Sequence, residues 1–194
     1  GRSQIAVAYL AICKYHEIHR KNKIDISDYF KQEDYEYFNS LSTLNLDIIR
    51  KHSDSSFFEK SQSSFVDFSR SRMSARSFTG KKVSLKTINK VIELAKVAPS
   101  VCNRQPVKVY YVENKEKIDK ILDIQKGLKG FEDEISQLFI LVSDRNYYYS
   151  IGERNQLYID GGVFLMNLLY ALHYYKIGAC PAHWGFNYEQ DKKI

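Results

Sequence analysis

LYIDGGVFLMNLLYALHYYKIGAC, residues 157–180, decides the fold. Its most apolar part, VFLMNLLYAL at 163–172, is about half of the ~20 residues a bilayer crossing needs, and Asn167 interrupts it. The stretch therefore reads as a buried core helix rather than a membrane span. The helix is expected to begin near Glu153 and to stop at Gly178, a suitable C′ residue after Lys176 in the last turn.

Working outward, the chain alternates helix and strand. After the helix, ACPAHWGF (179–186) reads as a last strand. Before it, QLFILVSD (137–144) and VKVYYV (107–112) read as apolar strands, separated by the amphipathic KEKIDKILDIQK. Upstream, Leu85, Ile88, Val91, Ile92 and Ala95 form an apolar helical face with Ser84 as its N-cap and Pro99 as its stop. Strands this apolar need cover from helices on both faces, which predicts an α+β or α/β layer structure.

The first third differs. AVAYLAICKYHEIHRKNK, from Ala6, has helical spacing, and a weaker helical pattern runs from about Asp28 to Ile49. HSDSSFFEKSQSSFVDFSRS (52–71) is Ser-rich and aperiodic, as a linker or a loop draped over a neighbour would be. These readings place a helical extension with its linker at 1–66 and the main domain at 67–194.

Composition narrows the function classes. The chain has 194 residues, 44% of them hydrophobic, so it can bury a core. Three separated cysteines with no C-x-x-C pair argue against a disulfide framework and fit a reducing cytoplasm. The chain begins with Gly1 rather than Met, as a trimmed start would, and no charged-then-apolar leader is seen. Net charge is +6, yet residues 1–66 balance nine Lys/Arg against nine Asp/Glu. The excess is concentrated between Arg70 and Lys108, with ten basic residues and one acidic. A local basic patch suits an anionic partner: a phosphorylated ligand, a nucleic acid or an acidic membrane.

Within that patch lies RMSARSF (72–78). In an extended segment side chains alternate, so Arg72, Ser74 and Arg76 share one side. Two guanidinium forks and a hydroxyl suit a phosphate.

RMSARSF, APSVCNRQP (98–106) and IDGGVFLMNLLYALHYYKIGAC (159–180) occur in an order and spacing that resemble the nitroreductase family. They fit its Arg-x-Ser-x-Arg-x-Phe signature, its Ala-Pro-Ser-x-x-Asn-x-Gln-Pro loop and its Asp-x-Gly helix ending in a Gly-rich turn. The resemblance covers about residues 70–185. It implies an α+β FMN-binding sheet covered by helices, a homodimer with FMN at its interface, and hydride transfer from NAD(P)H through flavin to an electron-poor acceptor such as a nitroaromatic or quinone. No nucleic acid or membrane partner is implied.

Residue by residue, the resemblance puts Arg72, Ser74 and Arg76, with Met73 between them, on the FMN phosphate. It puts Pro99, Ser100 and Asn103 on the flavin ring from the partner subunit, with Gln105 beside them. The positions after the Gly-rich turn, Pro181, Ala182 and His183, fall at the ring's reactive edge. No catalytic acid or base is implied, because the flavin carries the hydride.

The family's chain continues past this point with another strand and a further basic residue for the phosphate, whereas this sequence stops at Ile194. Val101 and Val107 replace residues that are small or aromatic in many relatives, making the pocket wall more aliphatic. The alternatives are a flavin-binding partner protein without turnover and a basic nucleic-acid binder.

Other features read as structural. Asp160, Gly161 and Gly162 suit close helix packing, while Asn167 and His173 suit hydrogen-bonded core positions. His16 and His19 read as surface histidines, two being too few for a tight zinc site. Cys102 and Cys180 read as small buried hydrophobes, and Tyr147, Tyr148 and Tyr149 as an aromatic loop cluster that packs against a partner.

Overall fold

A computed structural model describes residues 2–42, 51–185 and 188–192. Contacts divide the chain into two compact units, Gly1–Ser53 and Asp54–Ile194. Residues 54–66, grouped with the extension in the sequence reading, thus pack in the second unit.

The first unit is a helical hairpin of α1 (Arg2–Lys21) and α2 (Gln32–Leu41). The second helical pattern, expected to run to Ile49, gives α2 and then passes into residues 43–50, outside the described residues. Leu10, Cys13 and Ile26 are buried. His16 is buried too, stacked on Tyr35 at 4.6 Å and edge-on to Phe30 at 5.2 Å, and so is not the surface residue expected. Its aromatic neighbours give its Nδ1 no hydrogen-bond partner.

In the second unit, short helices α3 (Asp54–Phe57) and α4 (Phe65–Ser71) lead to an extended stretch, followed by α5 (Leu85–Ala95). Ser84 caps α5 by accepting from the Thr87 amide, and Ile88, Val91 and Ala95 form its buried face as the spacing requires. β1 (Val107–Val112) leads into α6 (Lys115–Gln125), whose N-cap is Asn114, and then β2 (Leu138–Ser143). After these come α7 (Gln156–Tyr174) and a last short helix, α8 (Tyr188–Asp191).

β1 and β2 pair antiparallel, Val107 opposite Ser143 and Val112 opposite Leu138. Val107, Val109, Phe139 and Leu141 pack on the core made by α5 and α7, in which Val91, Ala95, Phe164, Leu168 and Ala171 are buried. Tyr110 and Val142 lie exposed on the other face. β1 is thus half-buried with alternating exposure, not the wholly buried strand its composition suggested. A second core gathers Ile118, Leu122, Leu128 and Ile135, with Phe78 and Cys180 against it.

Two details of α7 differ from expectation. The left-handed residue that ends it is Lys176 (φ 57°), not Gly178. The Ile177 amide bonds back to the Leu172 carbonyl and the Lys176 amide to that of His173, the paired bonds of a Schellman turn. Gly178 serves close approach instead, since a Cβ there would sit 3.2 Å from the Ala75 Cβ. The expected last strand is also absent: residues 179–185 form no regular element, and Phe186 lies outside the described residues. What replaces it is a single bridge, the Ala75 amide donating to the Ala179 carbonyl at 3.0 Å. The mixed α+β class, with a helical N-terminal part, holds.

Candidate functional site

The segment 72–78 leaves α4 in extended conformation and is held against the turn after α7 by the Ala75–Ala179 bond. Ala75 faces Gly178, which leaves the even-numbered Arg72, Ser74 and Arg76 to a different side. Among the described residues no carboxylate pairs with Arg72 or Arg76. Arg72 instead lies near the buried His173, whose pKa is held low by burial and then by that positive charge. His173 Nε2 is 2.9 Å from the Ser71 hydroxyl, and Phe57, Phe58 and Phe68 surround the ring. His173 is therefore the hydrogen-bonded core residue expected, and it pins the residue just before Arg72.

Arg76 opens onto a cleft of about 420 Å³ shared with Pro181, Ala182 and His183. Lys126 lies on the same cleft, and among the described residues no carboxylate lines it. Lys126 is left-handed (φ 56°) at the end of α6, a position the sequence pattern does not mark. Gln125, buried, donates to the His183 carbonyl at 2.8 Å and accepts from the Gly127 amide, fixing the cleft's floor. Four of the sequence-derived residues thus meet at one place, with a second cation added.

Pro99, Ser100, Asn103 and Gln105 form a different group, the connection from α5 to β1. The loop closes on itself: the Gln105 amide donates to Ser100 Oγ at 2.9 Å, and its side-chain amide donates to Asn103 Oδ1 at 2.9 Å and to the Ala98 carbonyl at 3.2 Å. Cys102, Asn103 and Gln105 all have positive φ (49°, 54° and 52°). Three non-glycine residues in the left-handed region within four positions store backbone strain, at about 1–3 kcal/mol each. Cys102 and Asn103 are exposed, so the buried thiol expected at Cys102 is not found; its left-handed backbone turns it outward.

α7 anchors this loop. Asn167 donates to the Leu94 and Ala95 carbonyls at 3.0 and 2.9 Å, satisfying the open end of α5. Asp160, 4% exposed, receives the Val101 amide at 3.3 Å, the Tyr148 hydroxyl at 3.0 Å and Gln156 Nε2 at 2.9 Å. Burial and then this carboxylate push the Tyr148 phenol up to about 12. Gly161 allows close packing, a Cβ there falling 2.9 Å from Ser143 Oγ.

Arg104, inside the loop but absent from the candidate set, forms a half-buried pair with Glu153 at 2.8 Å and donates to the Tyr149 hydroxyl at 2.7 Å. Its guanidinium also lies 4.4 Å from the Tyr149 ring centroid. Of the tyrosine run, Tyr148 packs within its own chain on Asp160, while Tyr149 touches Arg104 and stays 82% exposed. The sequence offered one signal for these anchors, an acidic residue in an otherwise apolar helix.

Among the described residues no helix is long and apolar enough to cross a membrane. No group of three or more potential metal ligands is found among them either.

Comparison with known proteins gives partial matches. No protein of curated function matches the chain. A protein of Clostridium acetobutylicum assigned as an NADH oxidase is 28% identical over 52% of this chain and 58% of that one, with a TM-score of 0.45. A nitroreductase family protein of Clostridium difficile 630 is 22% identical over 56% and 62%, at 0.48. A nitroreductase with bound FMN from Desulfitobacterium hafniense DCB-2 is 20% identical over 54% and 61%, at 0.43. The chain spans about three fifths of the length of these solved structures. The segment bearing both the paired arginines and the strained loop, residues 69–134, matches the model of the nitroreductase family, and over that span the chain is similar to nitroreductases.

Proposed function

We propose that the chain is an FMN-dependent oxidoreductase, a cytoplasmic homodimer with flavin at its interface, in which residues 67–194 form the flavin domain and residues 1–66 an extension. The observation that carries this reading is the pair of guanidinium groups, Arg72 and Arg76, left without carboxylate partners on a segment pinned at Ala75 to the turn after α7. A phosphomonoester carries about −1.5 to −2 charge at pH 7 and supplies what those arginines lack. The residues fit the group on that ground: two forks without a carboxylate partner among the described residues, a hydroxyl at Ser74 between them, and a cleft bordered by Arg76 and Lys126 with no acid among its described lining residues.

Bound there, FMN would supply hydride transfer from NAD(P)H to an electron-poor acceptor. The chain's own work is positioning. Arg72, Ser74 and Arg76 hold the phosphate, and Met73 supports the segment between them. Pro181, Ala182 and His183 border the cleft that Arg76 enters. Pro99, Ser100 and Asn103 offer an apolar edge and an amide to the ring from the other subunit, with Gln105 beside them bracing Asn103. No side chain is asked to move a proton. Pairing is supported by Ile159, Val163 and Met166, apolar residues that α7 leaves exposed at helical spacing.

The test is an absorbance spectrum of the purified protein after FMN addition and desalting, followed by anaerobic NADH or NADPH. A yellow protein that bleaches supports the reading, and yellow protein that no reductant bleaches indicates a binding partner without turnover. Colourless protein that refuses FMN and retards DNA in a salt-dependent way indicates a basic nucleic-acid binder. Charge-assisted bonds contribute about 1.5–3 kcal/mol each, so R72A with R76A is expected to weaken FMN binding by at least about 100-fold. Unchanged flavin content would refute the clamp.

A further inference from the structure

Asp160 is a buried carboxylate with no cation on it among the described residues. Such a group is costly unless hydrogen bonds replace its water. It has three donors, from Tyr148, Gln156 and the Val101 backbone. Tyr148 and Gln156 are neighbours in sequence, whereas Val101 lies 59 residues away, at the first residue of the strained turn. From there the chain passes through left-handed Cys102, Asn103 and Gln105. Strain of this kind persists only where the surroundings over-determine it. Asn167, two helical turns further along α7, holds the other approach to the loop through the Leu94 and Ala95 carbonyls.

We propose that Asp160 is a positioning residue: by gripping the Val101 amide it sets the strained 101–105 turn in the one geometry that presents the exposed Asn103 side chain, braced by Gln105, to a flavin ring. This rests on the flavin reading above and adds to it a residue outside the ligand-facing set. A carboxyl group suits the place because it brings two acceptor oxygens to three donors. The D160N amide offers a single oxygen and turns an N–H₂ toward a donor.

The experiment uses D160N and Y148F in the full chain, with hydrogen exchange by mass spectrometry and titration against FMN and riboflavin. In D160N the peptide spanning 98–106 is expected to exchange at least tenfold faster, while those of α5 and β1 keep their protection. FMN and riboflavin affinities fall together, by at least tenfold, because the loop meets the ring and not the phosphate; R72A weakens FMN alone. Y148F, which keeps the carboxylate and two donors, gives a smaller effect of the same pattern. Unchanged exchange at 98–106, or loosening of the whole unit at once, overturns the proposal. So does a loosened loop with unchanged flavin affinity. A wild type that binds neither flavin sinks the cofactor reading and this one together, whereas wild-type and D160N proteins that bind both equally sink this one alone.

Discussion

Asn167 is the side chain that ties α5 to α7, and replacing it has a calculable cost. N167L keeps the volume and removes two N–H donors, one aimed at the Leu94 carbonyl and one at that of Ala95. A typical intramolecular hydrogen bond contributes about 0.5–1.5 kcal/mol net. Each carbonyl keeps a backbone donor, Leu94 from the Val97 amide at 3.4 Å and Ala95 from the Ala98 amide at 3.1 Å, so the loss is that of two added bonds and neither acceptor is stranded. The sum is about 2 kcal/mol, or a fall of about 4–8 °C in Tm for a unit of this size. N167D is the sharper variant, since it sets a carboxylate against two carbonyl oxygens. Its neutral form is favoured in the native state, so its folded pKa is raised. Its stability is best below about pH 4 and declines as pH rises through the folded pKa. Urea unfolding at pH 4 and pH 7, followed by circular dichroism, measures both. If N167L unfolds within about 0.5 kcal/mol of wild type, or N167D equals N167L at pH 7, the anchoring role is wrong.

Three further outcomes follow from single contacts. With Tyr148 held up at about 12 by burial and then Asp160, and Tyr29, Tyr35 and Tyr111 also raised, absorbance titration at alkaline pH should show a late-titrating group among the chain's 15 tyrosines that loses one phenol in Y148F. The folded value is raised, so the stability it brings is present below about pH 10 and lost as pH climbs through the folded pKa; Y148F flattens that loss. His173 is held low by burial and then by Arg72, so its contribution is full above about pH 6.5 and fades as pH falls through the folded value. H173Q should shrink the difference in unfolding free energy between pH 7 and pH 5. G178V drives methyl groups into Ala75, whose Cβ lies only 3.2 Å from where a Cβ on residue 178 would sit, and should cost about 1–3 kcal/mol while loosening FMN retention through the displaced arginine segment.

Legibility in the sequence followed the range of the forces. Periodicity and capping depend on neighbours three or four residues apart, so α5 and its Ser84 cap, α6, and both strands lie where the pattern puts them. The helix-ending reading failed where two devices compete. Glycine is the usual left-handed terminator, but the Schellman bonds at 172–177 close on Lys176, and close packing explains the glycine two residues later. ACPAHWGF reads as a strand because it is apolar, yet a strand needs a partner edge, and residues 179–185 receive one bridging bond from Ala75 instead. His16 read as exposed because one helix's spacing cannot reveal that Phe30 and Tyr35 fold back over it.

The same distinction explains why ligand-facing candidates were readable and their supports were not. The proposed clamp, a guanidinium, hydroxyl, guanidinium row, is visible locally because it needs no remote protein group: among the described residues no carboxylate pairs with either arginine. A support is completed by the protein, so its partner is remote in sequence: Asp160 to Val101, Asn167 to Ala95, Arg104 to Glu153. Each of these polar groups sits among apolar residues or beside strained backbone, where leaving it unpaired would cost about 1–3 kcal/mol. α7 therefore has two jobs on one helix. Its apolar residues pack the sheet and α5, and two of its polar residues, Asp160 and Asn167, about 10 Å apart along the axis, hold both ends of the loop that would face the ring. A substitution that preserved the packing and removed either polar anchor would leave a folded protein with a displaced loop, which is why stability alone cannot report on that loop's function.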